Sequence, residues 1–154
     1  ISDITFVQLT SSAKFIREIG PGRILLRAEA ATTVADELLE LPISARFFTG
    51  GDTSVRGYEF GELGATNDDG EVVGGKHMLV GSVEDDIPVM GNWYAAAFFD
   101  TGNSFSDFDD MQLKESAGLG IRWLSPIGPI RVDVAKGLDR GGSYRLHITM
   151  GPDL

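Results

Sequence analysis

The sequence predicts an all-β protein, an antiparallel up-and-down barrel wall of about seven strands. Three observations point there. Apolar and polar residues alternate with a period of two along most of the chain, as in strands with two unlike faces. Clusters of Gly, Pro and Asn interrupt that alternation repeatedly, as turns require. The interruptions also differ in length: 20–22, 88–92 and 125–129 are short, 36–75 and 101–115 are long, and 136–143 is intermediate. In a meander, every short turn then falls at one end of the sheet and every long loop at the other, the habit of outer-membrane barrels.

Each strand can be justified in order. From Ile4 to Ile19, Val7, Leu9, Ala13 and Phe15 share one face against Gln8, Thr10, Ser12 and Lys14. Gly20-Pro21-Gly22 turns the chain, and Ile24, Leu26, Ala28 and Ala30 then alternate with Arg23, Arg27 and Glu29 up to Thr33. Lys76 to Ile87 carries Leu79, Val83 and Ile87 opposite Ser82 and Glu84. Trp93 to Asp100 is mostly apolar and ends on one acid. Ser116 to Leu124 sets Leu119, Ile121 and Trp123 against Gly118, Gly120 and Arg122. Ile130 to Ala135 alternates most cleanly, and Tyr144 to Met150 closes the chain with Arg145, His147 and Thr149 on its polar face.

The long stretch 36–75 interrupts this pattern. A helical turn is expected at its entry, Asp36 to Leu41. The rest is unlike a disordered linker, because Phe47, Phe48, Val55, Tyr58 and Phe60 favour burial and its glycines allow tight turns. It reads as a folded loop tucked into something, with Arg56 placed to reach a partner.

Composition excludes several function classes. A net charge of −10 argues against a nucleic-acid surface, which needs clustered Lys and Arg. Cysteine is absent, so there is no disulfide framework and no thiolate metal site. No apolar run reaches the ~18 residues of a membrane helix. Ile1-Ser2-Asp3-Ile4 is neither a signal peptide nor an initiator sequence, and the chain is expected to be a piece of something longer. Alternation by itself leaves two readings open, a membrane barrel with its apolar face to lipid or a soluble lipocalin-like barrel that binds a small molecule. Trp93, Tyr94, Trp123 and Tyr144 lie near strand ends, where an interfacial girdle would put them.

Four motifs go further. Val55-Arg56-Gly57-Tyr58 resembles the signature of the long extracellular loop in the BamA/TamA superfamily of outer-membrane assembly barrels. Ser82-Val83-Glu84 lies on the following strand, where that superfamily carries an acid. Phe98-Phe99-Asp100-Thr101-Gly102 is similar to its Phe-x-Asp-x-Gly motif, and Gly120 to Asp133 to its penultimate hairpin. The ending, Leu146 to Leu154, is most like the TamA branch, the autotransporter-assembly subunits. Leu154 departs from the terminal aromatic residue usual in BamA-like and two-partner-secretion members.

The resemblance covers the whole chain. It implies the C-terminal seven strands of a transmembrane barrel of about sixteen, spanning residues 1–154, with the 36–75 loop folded inward. It also implies a bacterial outer-membrane location and a non-enzymatic role in inserting or secreting client proteins. The implied partners are outer-membrane lipid, the N-terminal half of the barrel, periplasmic POTRA domains, unfolded clients and an inner-membrane-linked subunit. A barrel fused to an upstream enzyme stays open as a relative.

Within that frame Arg56 needs a carboxylate, because a desolvated cation without one is costly. The expected partners are Asp100 and Glu84, both on polar faces by parity. Arg122, Arg131, Asp133, Arg145 and His147 share those faces and read as a mixed-charge lumen wall. The last strand, with Tyr144, Leu146, Ile148 and Met150 on its apolar face, would form one lip of a lateral seam. Asp107, Asp109 and Asp110 lack the spacing of a calcium loop. His77 and His147 lack zinc partners at ligand spacing, and no nucleophile elbow occurs, so no metal, cofactor or catalytic site is expected.

Overall fold

A computed structural model describes residues 5–35, 37–139, 141 and 143–151. It contains seven strands: β1 (Val7–Ile19), β2 (Gly22–Val34), β3 (His77–Met90), β4 (Trp93–Phe105), β5 (Lys114–Ser125), β6 (Gly128–Gly137) and β7 (Tyr144–Met150). They form one antiparallel sheet in sequence order, so that β1 and β7 are its two edges. The sheet is an open wall. The turns at 20–21, 91–92 and 126–127 lie at one end, and the segments 37–76 and 106–113 and the described residues of the β6–β7 connection at the other.

The two faces decide between the readings left open by alternation. Outward residues are apolar and exposed: Leu119 and Leu146 are 68% and 64% accessible, and Leu79, Val83, Ile121, Val132, Val134 and Ile148 share their side. The inward face is charged and buried. A soluble barrel would show the reverse, so this is the transmembrane arrangement. Trp93 and Trp123 stack across β4 and β5 at the short-turn end, with ring centroids 5.6 Å apart, and Tyr144 is exposed at the long-loop end. Tyr94 does not join this girdle. It is one residue out of phase with Trp93 and pairs with the inward Arg122.

Several boundaries differ from expectation, each for a local reason. β3 runs on through Pro88 to Met90 because a register irregularity between Pro88 and Met90 absorbs the missing N–H. β4 extends five residues past Asp100 to Phe105; its polar end is covered by the loop, so burial there does not need apolar residues. Asp36 lies outside the described residues. Leu41 N–H closes a single turn on Leu38 C=O, and the helical piece comes later, as a 3-10 turn over Ile43–Ala45.

Residues 37–76 fold back on themselves. Three isolated bridges, Phe47 with Gly75, Thr49 with Leu63 and Thr66 with Val72, tie the segment into nested turns. Gly50 and Gly51 adopt φ of 108° and 94°, values that L side chains rarely reach, and so let the chain reverse before Ser54. Val55, Tyr58 and Leu63 form a small buried apolar cluster. Phe60 is the exception to expected burial. It sits in the turn closed by Glu62 N–H on Glu59 C=O and is 90% exposed, while Phe47 and Phe48 are half-buried.

Candidate functional site

The register of the strands builds the site. Residues level with one another across the inward face form rows. One row runs Arg27, Ser82, Asp100, Ser116, Gly137, and the next Leu25, Glu84, Phe98, Gly118, Ala135, Arg145. A third runs Arg23, Asp86, Ala96, Gly120, Asp133, His147. In each, small residues on β5 and its neighbours are flanked by charged ones. The small residues leave a hollow, and the charges line it.

Val55–Tyr58, the tip of the long loop, occupies that hollow. The fit is close enough to require glycine. A Cβ on Gly57 would come within 2.4 Å of Gly137 N and 2.5 Å of Ser116 Cβ. One on Gly137 would meet the Tyr58 ring at 2.8 Å. On the far side of the hollow, Gly118 makes room for the Phe98 ring, which a Cβ there would meet at 2.3 Å. Phe98 in turn lies under the Arg56 guanidinium, whose Cζ is 3.4 Å from the ring centroid. That stacking is favourable and keeps the guanidinium flat against the wall.

Arg56 is 4% exposed and Asp100 fully buried. The guanidinium donates from Nε to Asp100 Oδ2 at 2.8 Å and from Nη2 to Asp100 Oδ1 at 2.8 Å, a two-pronged grip. Nη1 donates to Glu84 Oε2 at 2.7 Å and to Asp133 Oδ2 at 3.2 Å. The backbone N–H of Arg56 also donates to Asp100 Oδ2, at 3.1 Å, and Ser82 Oγ donates to Asp100 Oδ1 at 2.7 Å. Burial alone would lower the Arg56 pKa. The hydrogen bond and charge of Asp100, followed by those of Glu84, outweigh it and hold the guanidinium charged.

The structure thus brings Arg56, Asp100 and Glu84 together. It also brings in residues that sequence reasoning left in the wall. Arg122 donates to Glu84 Oε1 at 2.8 Å and is bonded to Asp133; Arg131 donates to both Glu84 oxygens, at 2.7 and 2.9 Å. Arg56, Arg122 and Arg131 therefore face Glu84, Asp100 and Asp133, a charge-balanced buried network. Beside it Arg23 donates to Asp86 at 2.9 Å. Tyr58 donates its hydroxyl to Asp139, which also pairs with Lys114 at 2.8 Å. Parity marked the inward charges; their pairing depends on register across five strands, for which no local signal exists.

β7 meets the loop as well. Arg145 pairs with Glu59, and His147 bridges Asp52 and the carbonyl of Arg56. These are the inward residues of the strand. Tyr144, Leu146, Ile148 and Met150 are on its outward face and exposed.

Comparison with known proteins follows the same lines. A sequence profile of the Omp85 superfamily domain matches residues 1–153. Outer membrane protein assembly factor BamA of Nitratidesulfovibrio vulgaris is 27% identical over 94% of this chain, and outer envelope protein 80 of the Arabidopsis thaliana chloroplast is 30% identical over 96%. The chain spans 19% and 20% of those proteins' lengths. The crystal structure of Haemophilus ducreyi BamA lacking POTRA domains 1–3 superposes with a TM-score of 0.74 at 22% identity, over 94% of this chain and 34% of that one. That likeness concerns the fold.

Proposed function

This chain belongs to the Omp85 superfamily, and from that premise we propose that it is the C-terminal wall of an outer-membrane barrel that inserts or exports client proteins. Relatives it resembles are named as outer membrane protein assembly factors. The observation that carries the reading is the seated loop: Val55–Tyr58 rests on the inward face, held by Arg56, in a wall whose outward face is apolar. An unsatisfied strand edge is a template for an incoming strand. The role is mechanical and non-enzymatic. β7 supplies one lip of a lateral seam, and the anchored loop fixes the lumen side behind it.

In this reading the front half of the barrel closes against β7, POTRA domains deliver unfolded clients from the periplasm, and lipid covers the apolar face. Autotransporter-type proteins are the proposed clients, with an inner-membrane-linked subunit as partner. The test uses the full-length protein in lipid vesicles. A disulfide from Thr149→Cys to the facing first strand should stop client insertion, and reduction should restore it. Undiminished insertion by the locked protein would make β7 an ordinary wall strand and overturn the reading.

A further inference from the structure

Arg56 is held by both of its backbone polar groups. Its N–H goes to Asp100 on β4 at 3.1 Å, and its C=O accepts from His147 Nε2 on β7 at 2.6 Å. The first contact belongs to the buried anchor. The second ties the anchor to the edge strand, and nothing in the anchor requires it. The other ring nitrogen, Nδ1, lies 2.5 Å from Asp52 Oδ1. Two residues along the same face of β7, Arg145 pairs with Glu59. Asp52 and Glu59 flank Val55–Tyr58, so β7 grips the loop on either side of its tip.

The chemistry of the imidazole limits this arrangement. A carboxylate oxygen and a carbonyl oxygen are both acceptors. Both contacts are hydrogen bonds only when both ring nitrogens carry protons, which is the imidazolium form. A neutral ring has one N–H and one lone pair, and the lone pair would then face an acceptor lone pair. Deprotonation must therefore break one of the two bonds.

We infer that His147 is a positioning residue, latching the edge strand to the anchored loop in its charged form and loosening β7 when it loses a proton to solvent. The inference rests on β7 being the seam strand. It adds that the readiness of this strand to move outward is set from the lumen side.

Charged groups face the ring from every side. From the loop come Asp52 and Glu59, with the Arg56 carbonyl. From β6 come Asp133, the register partner of His147, and Arg131. β7 itself carries Arg145. Across the same hollow stand Lys14, Arg27 and Glu84. Most of these charges are already committed to partners in the network, which leaves Asp52 as the acid in direct contact with the ring.

The experiment reads β7 directly in full-length protein in vesicles. Nitroxide labels at two outward positions, Ile148→Cys and Val83→Cys, report the distance of the edge strand from the fixed wall at about pH 5 and about pH 8, the range over which histidine changes charge. The expected result is a narrow distribution at the lower pH and a broader one at the higher. His147→Gln should abolish that pH response and stay broad throughout. His77→Gln, which alters the other of the two histidines, should leave it intact. Asp52→Asn, a loop substitution that removes the acid against the ring, should also remove it. A wild-type distribution that is identical at both pH values would overturn the latch, as would a His147→Gln protein that keeps the wild-type response. Client insertion is measured in the same vesicles. Insertion with a pH-insensitive β7 sinks the latch alone; a pH-sensitive β7 without insertion sinks the assembly reading alone.

Discussion

At the scale of single residues, the site is a problem of buried charge. Arg56 gives up its water and recovers hydrogen bonds to Asp100, Glu84 and Asp133. Such a network contributes little net stability but is costly to break from one side, ~3–5 kcal/mol locally, because a buried partner is left unpaired. Arg56→Ala and Asp100→Ala should each loosen the loop while the strands stay intact. The double mutant should cost less than the sum, measured as a double-mutant cycle on protease susceptibility of the loop; strict additivity would mean that the two do not share one interaction. Gly57→Ala makes a steric counterpart. Its methyl group would overlap the backbone of Gly137 and the Ser116 side chain, so the tip must lift with every charge still present. Loop protease sensitivity close to that of Arg56→Ala is the expected outcome. A further lock is acid-sensitive. Burial works against the Asp139 charge, but the bonds from Lys114 and Tyr58 prevail and bring its carboxyl down to about 2. A depressed value stabilises the fold above the ordinary carboxylate range and stops doing so as pH falls towards that value. The Tyr58–Asp139 contact should therefore persist at neutral pH and be lost only in strong acid, as read from Tyr58 fluorescence.

At the scale of elements, the strands were legible because one face of each meets lipid or its equivalent and the other does not. β7 matches its expected bounds, Tyr144 to Met150, since its alternation is unbroken. β4 does not, because Gly102 and Ser104 are inward residues covered by the loop rather than by apolar packing. Once a strand is covered by its own chain, the polar–apolar contrast that marks it vanishes. The anchor was legible in Arg56, Asp100 and Glu84 through their motifs. Arg122, Asp133 and His147 were visible only as inward charges, because which charges become level neighbours depends on four or five strand registers together. The same face assignment makes a prediction for β6. Val132 is outward and Arg131 inward, one residue apart. Val132→Arg should destabilise the membrane-inserted barrel by ~2–4 kcal/mol, the range for a cation at the midplane of the lipid face. Unfolding by denaturant from vesicles measures it, and a shift near zero would place Val132 away from lipid.

At the scale of the whole molecule, two features act together: an apolar outer face and two open edges. β1 and β7 each have a neighbour on one side only, so each presents a row of unpaired backbone groups. A complete barrel removes both edges by closing, and lipid covers the face. The 154-residue chain on its own can do neither within one molecule. Its net charge of −10 favours solubility, but several of its charges are spent on the inward face. The strands should therefore form in detergent and then pair edge to edge between copies, β1 of one against β7 of the next. Thr10→Cys in β1 and Thr149→Cys in β7 should yield intermolecular disulfides on oxidation, and light scattering should give masses above that of one chain. Strand content by circular dichroism should match that of the wall, since the meander is built from local hairpins that do not depend on closure. A monodisperse monomer, stable without detergent and free of such crosslinks, would contradict both the lipid-facing assignment and the role of β7 as an available edge. The Arg56 anchor offers an internal control, because the side-chain partners and the floor of its guanidinium lie on β3 to β6. Arg56→Ala should loosen the loop within the detergent-held assembly while edge pairing continues, so seating of the loop and closure of the wall are separable events.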